Sequence, residues 1–412
     1  MRTDVVILGA GIVGVSIALH LQKRGRSVVL FDRRGAGEET SYGNAGLIER
    51  ASVVPYAFPR DLASLFKYGF NQSVEVRYDI SFLPKIAPWL FAYWRHSSKA
   101  NLAQATKAML PLIERSVIEH EALMQEAGIT PLLRKNGWIK AVRSQKSLDA
   151  AAVQAETLRP YGIRFEVLDR AALHAREPHL TETLIGGIHW TDPATVPDPG
   201  GVAKGYAELF VRNGGRFLHG DARSLREDTE GWSLTTDEGP LAAREVVVAL
   251  GPWSDDIYKP LGYRIPLAVK RGYHMHYRAS GNAVLNHPVL DTDAGLLLAP
   301  MTQGVRMTTG IEFAPRDAPP SPIQVDRCEP LAREMFPLGE RAEPQAWMGS
   351  RPCLPDMRPI IGPAPRHKGL WFAFGHNHHG LTLGPITGRL LAEMMTGETP
   401  TAEMGWFRAD RF

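Results

Sequence analysis

The chain has 412 residues, 44% hydrophobic and 22% charged, a balance that argues against a disordered protein and leaves room for two domains. Its net charge of +3 is spread over interspersed acidic and basic residues, so no nucleic-acid partner is indicated. The two cysteines, Cys328 and Cys353, give neither a disulfide framework nor a metal-ligand spacing, and no apolar run reaches the roughly 18 residues of a membrane span, so the cytoplasm is the expected location.

Residues 5–8, Val-Val-Ile-Leu, read as a buried parallel strand and run directly into Gly9, Gly11 and Gly14 of a G-x-G-x-x-G turn. Val15, Ala18 and Leu19 follow at helical spacing, and a second strand over residues 27–31 ends at Asp32. In such a unit Gly9 permits the tight turn, Gly11 lets the backbone approach a pyrophosphate, Gly14 allows close helix–strand packing, and Asp32 accepts ribose hydroxyls. A bound dinucleotide is therefore expected. Asp4 and the glycines serve this unit rather than a signal peptide. Arg33 and Arg34 come next and either meet a phosphate or lie in an exposed loop.

A Gly- and Ser-containing loop occupies residues 35–46, and helical periodicity dominates to about Arg134. Within it, residues 82–94 are rich in Leu, Trp and Tyr but broken by Pro84 and Pro88. They form either a core helix or an apolar surface for a membrane or partner. Strands over 138–142, 164–168 and 186–190, with a helix over 148–159, read as an α+β region. An amphipathic helix over 202–213 then precedes strands at 216–219, 232–236 and 245–249, the last ending at Gly251 and Trp253. Segments 273–277, 296–300 and 305–309 alternate as an antiparallel sheet does, residues 370–374 form a strand, and a helix over 384–395 opens at Gly384. The fold class is thus α/β: a Rossmann-like dinucleotide-binding domain from residues 1–50, 195–260 and 345–412, with an antiparallel-sheet substrate domain inserted as residues 51–194 and 261–344.

Four blocks carry a resemblance along essentially the whole chain. They are Gly9 to Gly14 with Asp32; the run Ser41, Tyr42, Gly43, Asn44, Ala45, Gly46; the strand leading to Trp253 and Ser254; and the C-terminal runs beginning at Trp347 and Gly375. In this order they resemble the FAD-dependent amino-acid oxidoreductases of the D-amino-acid oxidase superfamily, closest to bacterial D-amino-acid dehydrogenase. The resemblance implies FAD held by Gly9, Gly11, Ile12, Val13, Gly14, Asp32 and Arg33. It also implies contacts from Ser41, Asn44, Ala45 and Gly46, from Ala222, Gly251 and Trp253, and from His379, Gly380, Leu381, Thr382 and Leu383. The last helix is expected to aim its N-terminus at the electron-rich edge of the flavin. Arg351 matches the arginine that grips the substrate carboxylate. Tyr273, His276, Thr308 and Glu312 lie on strands that cross the substrate cavity in the family, or else pack within the sheet. His376, His378 and His379 border the flavin without forming a metal site, and no metal is expected. Gly349 stands where sarcosine oxidase has its flavin-linked cysteine, so the FAD is expected to be noncovalent.

The activity implied is oxidative deamination of D-amino acids, with electrons passing to a quinone or another carrier. The alternatives are an oxygen-using oxidase of glycine, sarcosine or D-proline, and an FAD subunit of a heteromeric dehydrogenase. Peripheral contact with the inner membrane and oligomer formation are compatible with the sequence.

Overall fold

The computed structural model describes all 412 residues. Strand Arg2–Leu8 lies inside an eight-stranded sheet, between Val28–Asp32 and Gly239–Val248, and runs parallel to both. Val5 to Leu8 and Val246 to Val248 are wholly buried, which explains their unbroken apolar runs: an inner parallel strand is covered on both faces and has no solvent side to alternate with. Arg216–His219 extends the sheet beyond Val28–Asp32, and the hairpin strand Gly231–Thr236 pairs with the start of Gly239–Val248. Leu370–Phe374 lies parallel to the end of that strand and brings Ile360–Pro363 with it.

Helices Ile12–Gln22, Lys99–Ala127, Pro199–Arg212 and Gly380–Met395 share a core cluster with this sheet. The last helix begins four residues before the expected Gly384. Gly384 and Gly388 instead face the first helix, where added Cβ atoms would lie 2.9 Å from the Ile12 side chain and 2.6 Å from the Ser16 backbone. These glycines are there for helix contact, not for a turn. The two helices can therefore cross at backbone distance.

The second sheet has eleven strands and is built around the long strand Ala268–Ala279. Gly304–Thr308 and Ile311–Phe313 pair with it antiparallel, as do Leu338–Arg341 and Trp347–Cys353. Trp347–Cys353, expected with the nucleotide-binding portion, thus belongs to this sheet and carries Arg351 with it. Register places Lys270 opposite Arg351, and Arg271 opposite both Ser350 and Glu312.

The apolar segment forms helix Leu83–His96, which buries Ile86, Trp89 and Tyr93 and leaves Phe91 60% exposed. It is core on one face and surface on the other. The short helix Leu62–Gly69 buries none of its residues. No helix is long and apolar enough to cross a membrane.

Candidate active site

A cavity of about 1150 Å³ reaches from the G-x-G-x-x-G turn to the strand carrying Arg351. At the turn, Gly9 has φ +109°, and a Cβ there would stand 2.5 Å from the Ala249 carbonyl oxygen; on Gly14 it would stand 1.8 Å from the Gly9 oxygen. Only glycine allows the chain to fold back so tightly and leave an open cradle beside the helix N-terminus. The Ser41 hydroxyl accepts a hydrogen bond from Ile12 N at 3.0 Å and keeps its own hydrogen to donate to a phosphate. Asp32 accepts from Ala10 N at 2.7 Å and from Arg34 N at 3.0 Å, which fixes the carboxylate while each oxygen retains a lone pair for ribose hydroxyls. Arg33 stacks over the Trp253 indole at 4.7 Å and pairs with Glu39 at 3.1 Å.

Ile12, Val13, Asn44, Ala45, Ala222 and Gly251 also line the cavity. Gly14, Gly46, Thr382 and Leu383 do not; they stand behind its wall. Gly46, at φ +75°, presses against the Val196 carbonyl, and the Thr382 hydroxyl accepts from Glu49 N at 3.0 Å.

Farther along, His379 caps helix Gly380–Met395 with no side-chain hydrogen bond, so the first amides of the helix have no acceptor within it and Gly380 and Leu381 face the cavity. Burial lowers His376 to about 3 and His379 to about 4 and holds His378 well below its ordinary value, so all three are neutral at pH 7. Burial also raises the Glu49 carboxyl on the same wall to about 7. The glycine cradle, the donor-bearing serine, the fixed aspartate and two helix N-termini at separate points of one cavity suit an extended dinucleotide carrying a redox ring.

Arg351 lines the cavity at the end away from the glycine turn, half-buried, with no carboxylate partner. Its guanidinium makes only long contacts to the Arg271 and Gly310 carbonyls, at 3.5 and 3.4 Å, and burial lowers its pKa. It leans onto Gly272, where a Cβ would meet Nη1 at 2.4 Å. Lys270, its cross-strand neighbour, also faces the cavity; its ammonium lies 3.9 Å from the centre of the Tyr93 ring and also forms no ion pair. The sequence alone assigns Lys270 no site role, because only the strand register shows which face it takes.

Three expected substrate residues do not offer a free group to the cavity: Tyr273 lines it but has its hydroxyl committed, and Glu312 and His276 do not line it. The Tyr273 hydroxyl donates to Glu312 Oε2 at 2.5 Å and accepts from Arg271 Nη2 at 2.9 Å and Ser321 N at 3.0 Å, so it has no hydrogen-bonding capacity left for a ligand. Glu312 is buried behind the sheet, between Arg77 and Arg271. The reason is strand alternation: Lys270 and Gly272 present their face to the cavity, while Arg271 and the Tyr273 hydroxyl turn to the Glu312 side, so that Tyr273 touches the cavity without offering its hydroxyl to it. His276 is fully buried outside the cavity, where its Nδ1 donates to Glu343 at 2.9 Å and its Nε2 accepts from Arg306 Nε at 2.9 Å. Arg306 in turn donates to the carbonyls of Tyr42 and Asn44, at 3.0 and 2.5 Å. His274, His276 and Glu343 lie close enough to hold a metal ion, but Arg306 occupies the inner nitrogen and brings its own positive charge. The group therefore pins the Ser41–Gly46 loop. Thr308 lines the cavity; Cys353 does too, and burial raises its thiol pKa.

A family model described as FAD dependent oxidoreductase matches residues 4–394. The chain is 32% identical to a D-amino acid dehydrogenase of Granulibacter bethesdensis, with 97% of each chain covered. It is 28% identical to a D-amino-acid oxidase of Bradyrhizobium diazoefficiens, covering 99% of this chain and 98% of the relative. Glycine oxidase from Geobacillus kaustophilus superimposes with a TM-score of 0.75 at 23% identity, covering 100% of this chain and 99% of that one, which is a likeness of fold. With a cavity shaped for an extended dinucleotide and a family match over nearly its whole length, the chain belongs to the FAD-dependent oxidoreductases, and FAD is its cofactor.

Proposed function

We propose that the enzyme oxidises D-amino acids at the α-carbon and passes the electrons to a quinone or a similar carrier. The observation that carries this reading is the unpaired Arg351 guanidinium on the substrate side of the cavity: a planar cation with no protein carboxylate suits a substrate carboxylate held in two-pronged fashion. Held there, the substrate is oriented with its α-carbon toward the cofactor. Bound FAD would supply the two-electron oxidant for removal of the α-hydrogen as hydride, and the imino acid so released would be hydrolysed by water to a 2-oxo acid and ammonia. The three histidines beside that region are held neutral by burial and add no charge of their own to it. A side chain at Gly349 would lie 2.1 Å from the Trp347 ring, which supports noncovalent FAD.

The quinone acceptor is supported by an apolar surface at the cavity edge. Leu62, Phe66 and Phe70 are 83%, 70% and 59% exposed, Leu65 and Tyr68 from the same helix line the cavity, and Arg60, Lys67 and Lys85 lie nearby in sequence. Such a surface suits peripheral contact with an anionic membrane. Steady-state turnover of D-alanine, L-alanine, glycine and sarcosine tests the reading, with a soluble quinone analogue under nitrogen and with oxygen alone. Quinone reduction by the D-enantiomer in excess of peroxide formation supports it. Predominant peroxide formation makes the enzyme an oxidase, as the Bradyrhizobium relative's name suggests, and no turnover with any of them contradicts the proposal.

A further inference from the structure

Two cations, not one, face the substrate end of the cavity. Lys270 and Arg351 are cross-strand partners and project from the same face of the sheet. Neither meets a carboxylate, and they lean onto different groups: the guanidinium onto Gly272, the ammonium onto the Tyr93 ring. A third observation points to the same place. The His378 Nε2 is buried without a partner, and the His378 ring feels the charges of both Lys270 and Arg351. The half-buried ammonium sits over two aromatic rings, at 3.9 and 5.5 Å, and makes no hydrogen bond or ion pair to a protein acceptor.

We infer that the preferred substrates are amino acids whose side chain carries a second carboxylate: Arg351 takes the α-carboxylate, Lys270 takes the side-chain carboxylate, and His378 donates a further hydrogen bond. The inference rests on the proposed oxidation of amino acids at this site and specifies the substrate class within it. The guanidinium leans toward Gly272 and the ammonium toward Tyr93, which directs the two cations to different groups.

D-Glutamate and D-glutamine are nearly isosteric and differ in the charge that Lys270 reads. Anaerobic flavin reduction by each is measured in the holoenzyme and in Lys270→Gln. The expected result is that the wild type favours D-glutamate and that the substitution lowers the glutamate-to-glutamine ratio of reduction efficiency by about tenfold to a hundredfold. A wild-type preference for D-glutamine overturns the inference, as does an equal loss on both substrates, which would mean that Lys270 and Arg351 share one carboxylate. A parallel binding measurement does not depend on turnover: perturbation of the flavin spectrum by glutarate and by butyrate. If no amino acid reduces the flavin yet glutarate binds more tightly than butyrate in a Lys270-dependent way, the oxidation reading fails while the two-carboxylate site stands. If glutarate binds no better than butyrate, the site itself is refuted.

Discussion

At the scale of single residues, small groups in the site leave space for a charged one. Gly272 is the clearest case, because the Arg351 guanidinium occupies the space a side chain would need. Gly272→Ala should displace a flexible side-chain end rather than backbone, so the protein should fold and retain FAD while the KM for its substrate rises on the order of tenfold or more. Equal kinetics in the variant would show that the Arg351 position is not used. A second residue-level prediction concerns Arg306, whose pKa is lowered to about 10 by burial and whose guanidinium holds two carbonyls of the cofactor loop. Arg306→Met leaves those carbonyls without this donor and the His276 Nε2 unpaired, at a cost of roughly 1–3 kcal/mol. The measurement is FAD release on dialysis: it should quicken in the variant, and unchanged retention would show that the loop holds without the chain from Glu343.

At the scale of elements, the crossing of helices Ile12–Gln22 and Gly380–Met395 joins the dinucleotide turn to the helix whose N-terminus faces the redox end. Gly388→Val would drive methyl groups into the Ser16 backbone, which cannot rotate away, so we expect a loss of about 2 kcal/mol or more in urea unfolding together with weaker FAD binding. A variant of wild-type stability would contradict close backbone contact. The same crossing shows where sequence reading stops. The G-x-G-x-x-G unit is legible because its strand, turn, helix and acid are contiguous and each glycine has a local task. Gly384 reads as a helix opener because its true neighbour, Ile12, is more than 370 residues away in sequence. Tyr273, His276 and Glu312 are legible as strand residues, but the choice between cavity and sheet packing needs the register that decides which face each takes. Lys270, one position from the buried Arg271, was missed for the same reason: alternation sends the two in opposite directions, and only the pairing partner tells which is which.

At the scale of the whole molecule, buried neutral histidines set the response to acid. Burial lowers His20 to about 3 and His120 to about 4, the latter held between the Tyr206 hydroxyl at 3.0 Å and the Leu381 carbonyl at 2.7 Å. With His376 and His379 they form a set whose folded pKa values lie below the unfolded 6.5. Above pH 6.5 neither state is protonated at these sites and the stability is intact. Below it the unfolded chain takes up protons that the native state refuses, so stability falls by roughly 1.4 kcal/mol per pH unit for each histidine. Glu49 acts in the opposite sense: its folded pKa of about 7 exceeds the unfolded 4.5, so its contribution is full below 4.5 and is lost as pH rises through 7. One carboxyl against four histidines leaves a net acid lability. The urea midpoint should drop steeply from pH 6.5 to 5, and His120→Gln should make the slope shallower; a flat profile would contradict native histidines held neutral. The central claim, that Arg351 fixes a carboxylate substrate for oxidation at its α-carbon, is tested most directly by anaerobic titration of the bound FAD absorbance with D- and L-amino acids in wild type and Arg351→Met. D-enantiomers should bleach the flavin in the wild type. In the variant, which should retain its FAD, half-bleaching should require a concentration on the order of 30-fold higher or more, the loss of about 2–4 kcal/mol of charge-assisted binding. Bleaching at the same concentration in the variant, or none by any amino acid in the wild type, would contradict it.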